Sequence, residues 1–157
     1  ELVEPGYFAG LDDCRARYGL EPQDIGIELT ENILIKAGSE ALEELKKQRE
    51  KGVEISVDDF GVGYSSLSYL KHFPVSHLKI DRTFLKDAPE SAYDGALMEA
   101  IVNVGHKLDL FIVAEGVETA EQSRYCQELK VEFAQGFLYA KPMPARELEV
   151  LLVNSEN

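Results

Sequence analysis

The chain has 157 residues, 45% hydrophobic and 29% charged, which suits one globular domain with a sizeable core and excludes a disordered chain. A net charge of −13, from 29 acids against 16 bases, excludes a general surface for a nucleic-acid polymer, because non-specific phosphate binding relies on lysine and arginine. Any phosphate ligand would need cations as intermediaries.

Strand candidates, taken in order, are residues 24–29 (DIGIEL), 53–57 (VEISV), 77–80 (HLKI), 110–114 (LFIVA) and 132–137 (EFAQGF). A helix starting at Ser39 and stopping at Gly52 lies between the first two. A second is expected over 91–108, with Leu97, Ile101, Val104 and Leu108 as its buried stripe. Thr119 and Gln122 form a capping box for a third helix, and Pro144 begins a last one through Leu148, Leu151 and Leu152. Alternating strands and helices imply a parallel sheet, either open or closed into an eight-stranded barrel. The strand spacing averages about 27 residues, so a barrel of eight such units needs roughly 214. Five strands are counted, so the chain is an open sheet or a barrel without its first part.

Alternate strand residues point to opposite faces. Ile25, Ile27 and Leu29 oppose Glu28; Val53, Ile55 and Val57 oppose Asp58; Leu78 and Ile80 oppose Lys79 and Asp81. Helices covering the apolar face would leave Glu28, Asp58 and Lys79 pointing inward, which is costly unless they are paired or bind a metal. The parity is less clear in the last two runs, where Phe111 and Val113 share a phase with Glu115, and Phe133 with Gln135. Glu28, Asp58, Lys79, Glu115 and Gln135 nevertheless lie near the C-terminal ends of strands, where barrels carry their active sites.

The pair Asp58 and Asp59 precedes Gly61 and Gly63. One aspartate could cap a helix. Both together suit a pair of hard cations such as magnesium or manganese, if the chain turns there with the help of the two glycines. Lys79 could snorkel to the surface or orient a water, Glu28 and Glu31 could be solvated acids near a helix start, and Glu115 and Glu118 could be loop acids beside the capping box. D-F-G at 59–61 lacks the other kinase motifs, and Gly61-Val62-Gly63 lacks the ending of a phosphate loop. His72, His77 and His106 have no metal-ligand spacing and read as structural or surface residues. No G-x-S-x-G elbow or Cys–His pair offers a covalent nucleophile. Cys14 and Cys126 form no dense framework, which suits thiols in a reducing, cytoplasmic setting. No apolar run approaches the roughly 20 residues of a membrane helix, and the N-terminus has no signal-peptide pattern.

Together IELTEN, DDFGVGYSSLSYL, LKIDRTF, VAEGVET and QGFLYAKPMP, in this order and spacing, resemble the EAL-domain cyclic-di-GMP phosphodiesterases of bacteria. The resemblance spans nearly the whole chain. It implies a modified (β/α)8 TIM-barrel-like fold, here a partial barrel of about five βα units over residues 1–157, and metal-dependent hydrolysis of cyclic-di-GMP to linear pGpG. It implies that Glu28, Asp58 and Asp59 bind two Mg2+ or Mn2+ ions, with Asp58 shared. Lys79 would hold the attacking water and Glu115 would be the general base or a metal-site acid. Gln135 would be a further active-site polar group, and Glu31 and Glu118 would support the loop after the paired aspartates. It also implies an EAL homodimer and an attached sensory or GGDEF domain in the parent protein, which can itself be membrane-anchored. The naming E-A-L glutamate and a metal-binding asparagine are absent; the family pattern places both before residue 1, as expected for the C-terminal two-thirds of the domain. Val62 stands where the family usually has threonine. These departures leave a second expectation, a catalytically inactive cyclic-di-GMP receptor or protein-interaction module.

Overall fold

The computed structural model describes residues 6–61 and 70–155, so Val62 and Gly63 lie outside the described residues. The elements are α1 (Tyr7–Tyr18), β1 (Gly26–Thr30), α2 (Glu31–Lys36), α3 (Ser39–Lys51), β2 (Glu54–Phe60), β3 (His77–Ile80), α4 (Arg82–Leu85), α5 (Ala92–Lys107), β4 (Phe111–Glu115), α6 (Ala120–Glu128), β5 (Phe133–Gln135) and α7 (Ala145–Ser155). The strands form one parallel sheet in the order β1-β2-β3-β4-β5. Sequential parallel order with helical connections is the pattern of an arc of a βα barrel.

The outer face of this arc is the core. Ile27, Leu29, Ile55, Val57, Leu78, Ile80, Ile112 and Ala114 are all buried there, joined by Ala41 and Leu45 from α3 and by Met98, Ile101 and Val102 from α5. Branched side chains favour these strands because they pack well on a pleated surface. Their removal from water, at about 25 cal/mol per Å² of apolar area, is the main driving force for the assembly.

The expected helix over 91–108 forms as α5, with Ser91 as N-cap accepting a hydrogen bond from the Asp94 N–H at 3.2 Å. Its buried stripe is Met98, Ile101, Val102 and Gly105, with Leu97 and Leu108 exposed. The stripe is rotated because Gly105, having no side chain, admits the end of Ile112 into the space a Cβ would occupy. The α3 helix begins with Ser39 as its first helical residue and Gly38 as its N-cap. The capping box of α6 is present, with Thr119 Oγ1 accepting from Gln122 N–H and Gln122 Oε1 accepting from Thr119 N–H. Helix α7 begins after Pro144, and its Leu148, Leu151 and Leu152 are exposed on the described chain.

Strand limits differ from the sequence expectation at β2, which continues through both aspartates to Phe60. Residue 24 falls in a short 3-10 turn, Pro22–Asp24, rather than in β1.

Candidate active site

The inner face of the sheet follows the expected parity in β1, β2 and β3, and the same alternation, less clear from the sequence, holds in β4 and β5. Glu28, Asp58, Lys79, Glu115 and Gln135 lie towards the C-terminal ends, and Phe111 and Phe133 lie on the same face towards the N-terminal ends. The apolar residues that blurred the pattern in β4 and β5 form a lower layer with His77, whose ring centroid is 5.4 Å from Phe111 and 5.9 Å from Phe133. His77 Nδ1 also lies 3.0 Å from Ser76 Oγ. His106 pairs with Glu132 at 3.1 Å. Neither belongs to the charged cluster above.

Lys79 is the centre of that cluster. Although it is only 6% exposed, its Nζ lies 2.9 Å from Glu28 Oε2, 3.0 Å from Asp58 Oδ1 and 2.8 Å from Glu115 Oε1. Burial alone would drive the ammonium towards its neutral form, but hydrogen bonds to Glu115, Glu28 and Asp58 outweigh this and hold its pKa above the ordinary lysine range. Lys79 is therefore a fixed cation and a hydrogen-bond donor, not a proton acceptor. For Glu115 burial is the largest influence and pushes the carboxyl up; Lys79 opposes it, while Asp58 and Glu28 add to it. The Gln135 amide donates to Glu115 Oε1 at 2.8 Å, fixing the carboxylate from a neighbouring strand.

Two adjacent acids reach one site because β2 carries a bulge. Val57 pairs with Leu78 and Phe60 with Ile80, so β2 spends three steps where β3 spends two. The extra residue disrupts the ladder and re-aims its side chains. Asp59 adopts the left-handed conformation, φ 54°, which aspartate tolerates better than most residues. The turn is thus made at Asp59 itself, with Gly61 at φ 93° just after it, rather than by the glycines alone.

Carboxylate oxygens of Asp58, Asp59 and Glu115 all lie within 4.8 Å of one another. Asp58 Oδ1 is buried, with the Lys79 ammonium 3.0 Å away. An all-oxygen donor set, three carboxylates against the single ammonium of Lys79, fits a hard divalent cation. Glu28 is joined to Asp58 and Glu115 through Lys79. Glu31, at the start of α2, is buried, and Glu118 is exposed with its N–H donating to Gln122 Oε1 at 2.8 Å; the loop they were expected to support lies outside the described residues.

A cavity of about 610 Å³ opens beside Glu115 and Gln135, lined also by Asp81, Arg82, Phe137 and Lys141. The charge pattern had not singled out Arg82, Phe137 or Lys141, because none shares a strand-end position with the acids. Their nearness to β3 and β5 in sequence was the available signal. Lys141 Nζ lies 5.6 Å from the centre of the Phe137 ring, an arrangement that keeps a cation and an aromatic surface together at the mouth.

Comparison with known proteins gives the family and the fold. The EAL domain family matches residues 1–142. The bifunctional diguanylate cyclase/cyclic di-GMP phosphodiesterase MucR of Pseudomonas aeruginosa is 46% identical over 148 residues, 94% of this chain and 22% of its own length. A cyclic-di-GMP complex of the PaMucR phosphodiesterase superposes with a TM-score of 0.86 at 41% identity, covering 94% of this chain and 60% of that one. Klebsiella pneumoniae BlrP1, in a manganese and cyclic-di-GMP complex, superposes with a TM-score of 0.81 at 34% identity, covering 89% and 36% respectively. The chain spans about a fifth of the length of the curated relative it matches. Its five-stranded sheet is a part of the TIM-barrel-like fold of these neighbours, and the chain belongs to the EAL domain family.

Proposed function

We propose that this chain forms part of a metal-dependent phosphodiesterase that hydrolyses cyclic-di-GMP to linear pGpG. The observation that carries the reading is the bulge that brings Asp58 and Asp59 together beside Glu115, three carboxylates whose oxygens lie within 4.8 Å of one another. Asp58, Asp59 and Glu28 would hold Mg2+ or Mn2+, with Asp58 shared between two ions. Bound there, the cations would polarise a water and neutralise the phosphodiester on an acidic protein. The chain's own residues divide the remaining work. Lys79, kept charged by three carboxylates, orients the water. Glu115, whose carboxyl burial pushes up, accepts its proton more readily than an ordinary carboxylate at neutral pH. Gln135 holds Glu115 in place. One water adds across one phosphodiester bond and opens the ring.

The test is turnover of cyclic-di-GMP by the intact protein that carries this chain, with Mg2+ or Mn2+, followed by chromatography of the product. Linear pGpG is expected. Absence of hydrolysis with either metal overturns the reading, and tight binding of cyclic-di-GMP without turnover identifies a receptor instead.

A further inference from the structure

The bulge that aims Asp59 places two left-handed residues, Asp59 at φ 54° and Gly61 at φ 93°, on either side of buried Phe60. A non-glycine residue such as Asp59 is unfavourable in this region and persists there only where its surroundings fix it. The β2-β3 ladder pairs Val57 and Phe60 on either side of the bulge but neither Asp58 nor Asp59 within it. The Phe84 ring, on α4, lies against it. A Cβ built at position 61 would stand 2.6 Å from Phe84 Cζ and 2.7 Å from Cε2, so ring and backbone are in direct contact. Phe84 is half-buried and packs against the main core. Its N–H bonds to the Asp81 carbonyl at 3.1 Å in the turn that leaves β3, which ties the ring to the strand carrying Lys79.

We infer that Phe84 is a positioning residue for Asp59: its ring blocks Gly61 from relaxing outward and so holds the bulge in the form that turns the Asp59 carboxylate towards Asp58 and Glu115. This rests on the reading that Asp58 and Asp59 hold divalent cations. Phe84 touches no reacting atom. Its effect is on metal occupancy, which a residue that merely stabilises the fold would leave unchanged.

The experiment titrates Mn2+ into the intact protein and follows free Mn2+ by electron paramagnetic resonance, with no substrate present. Phe84→Ala should weaken Mn2+ binding about tenfold, and Phe84→Leu, which keeps apolar volume, by less, as outer partners of metal ligands typically do. At saturating Mn2+ kcat should return to within about threefold of wild type, since the ligands themselves remain. Gly61→Ala alone should weaken Mn2+ binding more than it does in the Phe84→Ala background, because the contact that couples the two sites is gone. Unchanged Mn2+ affinity in both Phe84 variants, with only a lowered melting temperature, overturns the inference. Asp59→Asn is the control: if it weakens Mn2+ binding while the Phe84 variants do not, the inference alone fails, and if it has no effect the ligand reading fails first.

Discussion

On the outer face of the sheet, Ile55, Leu78 and Ile112 are fully buried, and any branched apolar residue of similar volume could take their places at modest cost. On the inner face of the same strands, one step along the chain, stand Ser56, Lys79 and Val113, and beyond them Asp58 and Glu115. There the neighbours are charges held at 2.8–3.0 Å by one ammonium. The outer face is specified by volume and the inner rim by atom positions. Substitutions on the two faces should therefore separate stability from chemistry, and the clearest separation comes at the rim. Asp58→Ala removes the acid proposed as shared and should lower kcat/KM for cyclic-di-GMP by at least about 10⁴-fold, above 5 kcal/mol in the barrier. Its melting temperature should stay near that of wild type, because Lys79 keeps Glu28 and Glu115 as partners. A comparable loss of folded protein, seen by circular dichroism, would break the contrast.

The opposite case is Ile112→Ala. Ile112 has no exposed surface, and its end fills the space left by Gly105. Truncation should lower the unfolding free energy in urea by about 3 kcal/mol, from lost transfer energy and a residual cavity. Activity of the protein that remains folded should fall only a few-fold, since Ile112 points away from the rim.

The part of this arrangement that was legible in the sequence is the part governed by period. The five strands, α3, α5, the capping box of α6 and the inward phase of Glu28, Asp58 and Lys79 all follow from alternation and capping chemistry, which are local. The apolar inner residues Phe111 and Phe133 obscured the phase of β4 and β5 because a barrel interior is a packed layer below and a polar rim above, and one alternation rule cannot describe both. The bulge was not legible. It depends on how β2 pairs with β3, a non-local matter, and the left-handed Asp59 has no signature beyond the two acids themselves. Helix α1 was missed because its apolar face is thin, with Phe8 its only buried residue and no side-chain N-cap. The rotated stripe of α5 turned on Gly105, where the informative feature is a side chain that is missing.

Between the two extremes lies Gln135, a neutral residue on the rim. Its amide makes one hydrogen bond to Glu115. Gln135→Ala should lower kcat roughly ten- to 150-fold, the range for a hydrogen bond to a charged group, while leaving Mn2+ affinity within about twofold because Gln135 bonds Glu115 rather than the proposed cation ligands Glu28, Asp58 and Asp59. A large loss of Mn2+ binding instead would place Gln135 among the residues that shape the metal site and blur the division of labour drawn within the rim.

The smallest expected effect tests whether phase alone assigns a residue to the chemistry. Asp81 shares the inward phase of His77 and Lys79 and lines the cavity, yet its carboxylate is turned to the backbone. It N-caps α4, accepting from the Thr83 N–H at 3.0 Å and the Thr83 hydroxyl at 2.6 Å. Burial pushes its carboxyl up, but these two hydrogen bonds and the nearby Arg82 together hold it below the ordinary aspartate range. A depressed folded-state pKa contributes stability above the unfolded-state value, and that contribution is lost as pH falls through the folded-state value. Asp81→Ala should therefore cost about 1 kcal/mol at neutral pH, as the loss of a helix cap does. The difference from wild type should vanish in acid, below the ordinary carboxylate range. Thr83→Val, which keeps the backbone donor and removes the hydroxyl, should cost less and show the same acid dependence. A stability difference that persists unchanged below about pH 3, where this carboxylate is largely protonated in the unfolded chain, would mean that Asp81 acts through packing rather than through its charge.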